Sequence, residues 1–227
     1  MAAFTTSRSS LRHRFRCSPR PAKTSRIELG TGIIDMRYEN PFYMVEDAGS
    51  ADLISGGRLQ LGLSCGSPEQ VIEGWRHFGH VPAAGETDAD MGRRHAETFL
   101  GLLDGKGFAK PNLRPMFANP PGLLRLEPHS AGLRDRIWWG SAFNGAAAWA
   151  AQQGMNLQSS TLRADESGEP LHIQQAKQIR LYREAWKDTG HQRTPRVSVS
   201  RSTFALTNDV DRAYFGHGES SDQIGIH

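Results

Sequence analysis

The stretch RIELGTGIIDMRYENPFYMVEDAGSADLISGGRLQLGLS, residues 26–64, decides the fold. It begins with an apolar, β-branched segment at 27–34 and ends with a second one at 58–64, and each has the length of a buried strand. Between them, the Asn-Pro pair at 40–41 indicates a helix N-cap and first turn, and the Gly-Gly pair at 56–57 indicates its end. The stretch therefore predicts a strand–helix–strand unit with parallel strands.

The same alternation continues along the chain. Strands are predicted at 136–141, 156–160 and 196–206; a helix is predicted to start at 67–70, and further helices to occupy 88–105, 144–155, 171–190 and 208–216. The Pro-rich segment 110–130 is too apolar for a disordered linker and predicts a long ordered excursion. We therefore expect an α/β fold, an incomplete (β/α)8 barrel, because about four or five strand–helix units are recognisable and eight close a barrel.

Charge and cysteine usage restrict the classes of function. Of 27 basic side chains, seven lie in residues 1–26, which contain no acid, so the remaining 20 are set against 24 acids. No basic face with interleaved aromatic residues is recognisable, which argues against a nucleic-acid partner. No apolar run reaches the length of a membrane span, which argues against a membrane partner. The two cysteines, Cys17 and Cys65, indicate no disulfide framework, and we expect a cytoplasmic protein.

Small residues recur where three of the predicted strands end. The segments are Gly30-Thr31-Gly32, Ser64-Cys65-Gly66 and Gly140-Ser141. Because ligands bind at the carboxyl edge of parallel strands, the three together predict a site for a phosphorylated cofactor. The third segment leads through Phe143 into a helix start at Asn144-Gly145, where free N–H groups and the helix dipole favour phosphate. Each segment taken alone is more consistent with a tight turn.

Candidate catalytic and metal-binding residues are sparse. Cys65 has no His/Asp arrangement beside it in the sequence, so an inert thiol is a better interpretation than a nucleophile. No pair of histidines has ligand spacing near a third donor, so no metal site is predicted. The sequence therefore leaves the catalytic residues unassigned.

Three segments carry a family resemblance. The order LGTG…NP…ED…ADLISGGRLQLG within 29–62, the stretch WWGSAFNGAAAWAAQQGMNLQSSTL at 138–162 and AKQIRLYREAW at 176–186 together resemble the luciferase-like flavin monooxygenases. The likeness extends over roughly residues 22–226. It implies a bacterial luciferase-like (β/α)8 barrel that binds reduced FMN, or the deazaflavin F420 as in a sister branch. It also implies O2 and a small organic substrate, and it leaves a flavin reductase and a homo-oligomer open as partners.

The resemblance assigns roles to individual residues. It implies that Gly32-Ile33 forms a strained peptide against the isoalloxazine, that Ser64 is a small residue facing the flavin, and that Ser141 to Gly145 is the phosphate-binding turn. Two positions depart from the family pattern: Cys65 stands where an arginine is common, and Phe143 where a serine is common. A thiol cannot replace the charge and the fork of donors of a guanidinium, so we expect weak flavin binding.

Residues 1–22 do not resemble the family in the reading frame of the chain. Read one base out of frame, residues 4–8 can encode His-His-Phe-Ala, and residues 12–20 can encode a Ser-Pro-apolar-Pro-Leu-Leu-Ala-Ala segment, both of which resemble family sequence. We therefore expect a disordered, out-of-frame head at 1–22 and a partial luciferase-like domain at 23–227. A mitochondrial transit peptide is the alternative for the head.

The sequence is compatible with three functions. The first is an FMN-dependent monooxygenase, which we expect not to turn over as written because the resemblance implies that units are missing at both ends. The second is a non-catalytic barrel remnant that associates with a partner. The third is an F420-dependent oxidoreductase that transfers hydride without oxygen.

Overall fold

The computed structural model describes residues 24–66, 71–161, 168–201 and 205–215, which contain six strands and five α-helices that alternate from the second strand onward. The strands are β1 (Leu29–Gly30), β2 (Ile34–Asp35), β3 (Leu59–Ser64), β4 (Ile137–Ser141), β5 (Asn156–Ser159) and β6 (Val197–Val199). The helices are α1 (Pro41–Ser55), α2 (Asp88–Leu103), α3 (Asn144–Gln152), α4 (Leu171–Asp188) and α5 (Asp209–Phe215). The predicted alternation is thus confirmed. The predicted head at 1–22 and helix start at 67–70 lie outside the described residues.

The chain divides into two compact units. The first contains the residues up to Gly140 together with Gln153–Asn156, and the second contains Ser141–Gln152 and the residues from Leu157 onward. In the first unit β3 is the central strand and pairs in parallel with β1, β2 and β4. All six residues of β3 are buried. A parallel strand that is buried on both faces is expected to be apolar throughout, as the leucines of β3 are.

Local signals in the sequence set the ends of the helices in the first unit. The Asn40 side chain accepts hydrogen bonds from the backbone N–H groups of Phe42 and Tyr43 at the start of α1, and Gly56 ends the helix at φ 67°. Helix α2 starts with a capping box, in which Thr87 and Asp90 each accept from the backbone N–H of the other. The helix over residues 40–56 is therefore confirmed at both ends.

A buried carboxylate fixes the amino end of β3. Asp52, fully buried on α1, accepts from the backbone N–H of Leu59, the hydroxyl of Ser130 and the guanidinium of Arg136. Arg136 also donates to the carbonyl of Leu59. One aspartate thus joins α1, β3 and the segment before β4 at the edge opposite to the predicted ligand edge, the edge associated with stability in this type of fold.

The Pro-rich excursion is held by backbone contacts. Phe108 and Ala109 both donate to the carbonyl of Leu124, and Leu124 donates back to Ala109. Further along, a Cβ on Gly49 of α1 would lie 2.0 Å from the carbonyl oxygen of Pro128, so only glycine allows this approach. The segment is ordered as expected, and it contains one antiparallel bridge rather than a strand.

The second unit is built around α3, α4, α5 and the parallel pair β5–β6, in which Leu157 lies opposite Val197. Helices α3 and α4 pack against each other. Fully buried alanines on α3 and the buried rings of Tyr182 and Trp186 on α4 are the main apolar residues of this unit.

Three predicted boundaries were wrong. The strand expected at 27–34 is two short strands, because the backbone between them leaves the sheet at residues 31–33. The helix expected at 144–155 ends at Gln152, followed by a turn with Gly154 at φ 67°. The strand expected at 196–206 covers Val197–Val199 within the described residues. Among the helices that the structure describes, none is both long and apolar enough to cross a membrane.

Candidate functional site

The backbone between β1 and β2 crosses directly over β3. The Thr31 hydroxyl donates to the carbonyl of Gly62 and accepts from its N–H, at 3.3 and 3.0 Å. A Cβ on Gly62 would lie 2.2 Å from the carbonyl oxygen of Gly32, closer than any real contact. Gly62 is therefore required for the 31–33 segment to lie on the strand, while a Cβ on Gly32 would meet nothing within 4 Å. Gly32 thus borders open space.

The Ile33 side chain packs over Gly140, which lies on the neighbouring strand β4. A Cβ on Gly140 of β4 would lie 1.8 Å from the Cδ1 atom of Ile33. The Ile33 side chain is nevertheless 43% exposed. The peptide bond between Gly32 and Ile33 is trans and neither residue has positive φ, so the strain implied by the family resemblance is not seen here.

Ser64 presents an unsatisfied hydroxyl on the same face. Side chains alternate along a strand, so Ser64 shares the face of Gly62, where the 31–33 segment lies. The serine is 5% exposed and its Oγ has no hydrogen-bond partner. A buried, unpaired hydroxyl costs about 1–3 kcal/mol, so such a group in a native protein indicates a missing partner. Gly32, Ile33 and Ser64 are therefore brought together, and a polar ligand group over this face fits them.

Cys65 lies on the other side of the strand from Ser64. A Cβ on Gly92 of α2 would lie 2.9 Å from the Cβ of Cys65, so the thiol is half-buried against that helix. Burial raises the pKa of Cys65, and the charges of Arg93 and Arg37 oppose the rise while Asp35 adds to it. The thiol is therefore protonated near neutral pH, in agreement with the interpretation that it is not a nucleophile.

An ion-pair cluster at the end of β2 was missed in the sequence. Arg37 is 6% exposed and its guanidinium pairs with Asp35 at 2.7 Å and with Asp88 at 2.6 Å. Asp35 and Asp88 therefore both have a structural partner in Arg37. The cluster lies at one wall of a cavity of about 640 Å³, which Trp75 and Glu86 also line. The spacing of Asp35 and Arg37, two residues apart after a strand, is the one signal that could have indicated it.

His95 is buried behind this cluster. Its Nδ1 is 2.8 Å from the carbonyl oxygen of Met36, and its ring contacts that of His80 with centroids 5.1 Å apart. Desolvation lowers the pKa of His95. The geometry therefore favours a neutral ring that donates from Nδ1 to Met36. Within the described ranges, no group of three or more His, Cys, Asp or Glu side chains is arranged to hold a metal ion.

In the second unit, the buried side-chain amide of Gln178 forms hydrogen bonds to the turn that follows β4. The Gln178 side chain donates to Ser141 Oγ at 3.2 Å and to the carbonyl of Phe143 at 3.0 Å, and it accepts from Ser159 at 2.6 Å. Gln178 is fully buried. Ser141 also donates to the carbonyl of Phe143, at 2.7 Å. These bonds fix the turn from Ser141 to the start of α3.

The start of α3 is open to solvent. Phe143 is 59% exposed, Asn144 is exposed, and a Cβ on Gly145 would meet nothing within 4 Å. The first N–H groups of a helix have no partner within the helix, and here they lie at a turn with free space above it. Free N–H groups at an open helix start are of the kind that bind phosphate. Gln178 was not singled out in the sequence, because a single glutamine within a helical pattern carries no signal.

Comparison with known proteins adds an independent line of evidence. Residues 21–214 match the luciferase-like monooxygenase family. A segment of 76 residues is 38% identical to the 4-hydroxyprotoasukamycin monooxygenase of Streptomyces nodosus subsp. asukaensis, over 34% of this chain and 18% of that protein.

Two of the solved structures that resemble the chain are monooxygenases. Monooxygenase RslO1 from Streptomyces bottropensis gives a TM-score of 0.58 at 21% identity, over 86% of this chain and 56% of its own. The oxygenating constituent of the 3,6-diketocamphane monooxygenase from Pseudomonas putida, a type II Baeyer-Villiger enzyme solved with FMN, gives 0.55 at 17% identity, over 79% and 49%. The chain thus spans about half the length of these two structures.

The structural likeness establishes the fold, and the match over most of the chain establishes the family. The parallel strands and intervening helices correspond to part of a luciferase-like barrel, so the predicted incomplete (β/α)8 fold is confirmed. Since residues 21–214 of 227 are matched, the chain belongs to the luciferase-like monooxygenase family.

Proposed function

We propose that this protein is part of a flavin-dependent monooxygenase that uses reduced FMN and O2 to oxygenate a small organic molecule. The observation that carries the proposal is the unsatisfied, buried Ser64 hydroxyl beside the open space above Gly32. The family match and the FMN complex of the diketocamphane enzyme support a flavin as the ligand of that face. Bound reduced flavin would supply the electrons for oxygen activation.

The roles proposed for the residues follow from their surroundings. Gly32 and Ile33 would contact the isoalloxazine, because the first leaves room and the second offers a half-exposed apolar side chain. Ser64 would hydrogen-bond a polar atom of the ring. The turn from Ser141 to Gly145, with Phe143 and Asn144, would bind the phosphate through its backbone N–H groups.

The proposal is tested by titrating the purified protein with oxidised FMN, riboflavin and F420 and following flavin fluorescence. We expect saturable binding of FMN that is tighter than binding of F420. Oxygen uptake with a panel of aldehydes and ketones then tests turnover. Saturable binding of F420 alone would favour hydride transfer without oxygen, and binding of none of the three would favour the non-catalytic alternative.

We propose that a separate flavin reductase supplies the reduced flavin and that the chain forms a homo-oligomer. The tip of the Pro-rich segment supports a contact surface, since Leu113, Met116 and Phe117 are 98%, 89% and 78% exposed. A cytoplasmic location is supported by the free thiol of Cys65. Light scattering on the purified chain tests self-association.

A further inference from the structure

The indole of Trp138, on β4, is held by polar side chains of the same sheet. Its Nε1 donates to the Gln60 side chain of β3 at 2.7 Å. The Gln60 amide donates in turn, at 3.0 Å, to the carboxylate of Glu28, which directly precedes β1. Gln60 is itself buried, so the acceptor of the indole N–H has a fixed position. A tryptophan whose N–H is bonded in this way has a restricted ring orientation.

Strand register places Trp138 on the face of the sheet that carries the candidate flavin site. Trp138 lies directly opposite Gly62 in the parallel pair of β3 and β4. Its hydrogen bond to Gln60, two residues before Gly62, shows that both side chains point to the same face as Gly62. The backbone of residues 31–33 crosses the sheet at this level, with the Gly32 carbonyl directly over Gly62. Trp138 is therefore level with the segment that borders the open space.

The two adjacent tryptophans of β4 have different surroundings. Trp139 points to the opposite face of the strand and is fully buried. Trp138 is only half-buried. Two of its neighbouring positions on the same face, Gly62 on β3 and Gly140 on β4, are glycines and supply no side chain to cover the ring. Trp139 therefore belongs to the core, whereas Trp138 presents part of its ring on the candidate ligand face.

We propose that Trp138 contacts the isoalloxazine ring of the flavin and that Gln60 is the positioning residue that orients the indole for this contact. The inference rests on the proposed function, because it takes a flavin as the ligand of this face. A half-buried indole supplies a flat apolar surface, and aromatic rings in contact gain free energy beyond the burial of their area. The contact involves the ring system and not the phosphate, so FMN and riboflavin depend on it equally.

The emission of the bound flavin tests this contact. An indole in van der Waals contact with an isoalloxazine quenches the flavin fluorescence by electron transfer, which weakens steeply with distance and which phenylalanine does not support. We expect FMN and riboflavin to lose most of their emission when they bind the wild-type chain and to keep it when they bind Trp138→Phe. Trp139→Phe, on the opposite face of the same strand, is the matched control and should quench as the wild type does.

Two further variants extend the test to affinity, which equilibrium dialysis measures independently of emission. Trp138→Leu removes the aromatic ring and is expected to weaken the binding of FMN and of riboflavin by the same factor, about threefold to tenfold. Gln60→Leu keeps the indole but removes the acceptor of its N–H, so we expect partial recovery of the emission and a smaller loss of affinity. Urea unfolding of each variant without flavin shows whether the fold is retained.

The outcomes separate this inference from the proposed function. If the wild type binds both flavins and their emission stays as bright as in solution, no indole touches the ring and the inference fails, whether or not the variants fold. Equal quenching by the wild type and by Trp138→Phe would also overturn it. Quenching by Gln60→Leu equal to that of the wild type would overturn the positioning role of Gln60. If the wild type binds neither flavin, the proposed function fails and this inference fails with it.

Discussion

Glycine residues at the centre of the first unit decide where the backbone can pass. Gly62 and Gly140 carry the 31–33 segment, and a Cβ at either would lie 2.2 Å or less from an atom of that segment. Because Gly62 and Gly140 have no side chains and lie on neighbouring strands, the face of the sheet that carries Ser64 is shallow at this point. The candidate flavin-binding face thus depends on the missing side chains of Gly62 and Gly140 as well as on the hydroxyl of Ser64.

Substitution of Gly62 should test this arrangement. We expect Gly62→Ala to lower the free energy of unfolding by about 1–3 kcal/mol, because the added methyl group forces the Gly32 carbonyl away. Gly101→Ala is the control, since Gly101 lies exposed in α2 with nothing within 4 Å of the added atom. It should stabilise the protein by about 0.5–1 kcal/mol. Urea unfolding measures both, and equal effects would contradict the close approach.

Ser64 should show opposite effects on stability and on binding. We expect Ser64→Ala to stabilise the ligand-free protein by about 1 kcal/mol, because it removes an unpaired buried hydroxyl. The same change should weaken FMN binding. Ser130→Ala is the matched control, since the Ser130 hydroxyl donates to Asp52 at 2.6 Å and its loss should destabilise. Urea unfolding with and without FMN checks both, and a destabilised Ser64→Ala would mean that the hydroxyl has a protein partner.

At the scale of elements, helix α2 stabilises the fold through the residues at its start and its close packing, and helix α4 does so through its buried polar side chains. Helix α2 is held at its start by the Thr87–Asp90 capping box and along its length by the approach to Cys65 at Gly92. Helix α4 acts differently: its buried glutamines bond the ends of the strands. Gln175 donates to the carbonyls of Ser159 and Ser160 and accepts from Arg201. Polar groups at strand ends are thereby satisfied without water.

Removal of the Gln178 amide should loosen the turn after β4. We expect Gln178→Leu to cost about 2–3 kcal/mol of unfolding free energy, because the hydroxyls of Ser141 and Ser159 lose partners in a buried place. FMN binding should weaken more than riboflavin binding if this turn holds the phosphate. Lys177→Gln, whose side chain pairs with Glu169 at the surface, should change stability by less than about 0.5 kcal/mol. Thermal unfolding and the two titrations distinguish these effects.

At the scale of the whole molecule, stability should depend on pH through buried groups. The pKa of His95 is lowered by burial, so the folded protein holds this ring neutral while the unfolded chain protonates it below about pH 6.5. The stability that the neutral ring contributes is therefore complete above that pH and is lost as the pH falls through the lower pKa of the folded state.

His95→Gln should make the stability of the protein depend less on pH. The glutamine amide can still donate to the carbonyl of Met36 but does not titrate. We expect a flatter fall of unfolding free energy than in the wild type as the pH drops below about 6.5. The same substitution at exposed His77 is the control and should leave the profile unchanged. Urea unfolding at a series of pH values makes the comparison, and identical slopes for the wild type and His95→Gln would contradict it.

Part of the candidate site could be predicted from sequence and part could not. Gly32, Ser64 and the turn from Ser141 to Gly145 were predicted because small residues at strand ends follow a local pattern. Arg37 and Gln178 were not, because each has a partner far away in sequence: Asp88 lies 51 residues from Arg37, and Phe143 lies 35 residues from Gln178. The prediction of one continuous strand at 27–34 was wrong for the same reason, since the interruption at residues 31–33 depends on Gly62 of another strand.

The sequence by itself determined the order of strands and helices, their parallel pairing and the family, because hydrophobic period, capping residues and motif order are local properties of the chain. The tertiary structure decided which face of β3 is open to a ligand, which side of that strand Cys65 occupies and that the buried Ser64 hydroxyl lacks a partner. These features depend on the approach of segments that are distant in sequence, and a difference of one methyl group changes them. Side-chain pairing of this kind is a property of packing, so no single stretch of the sequence predicts it.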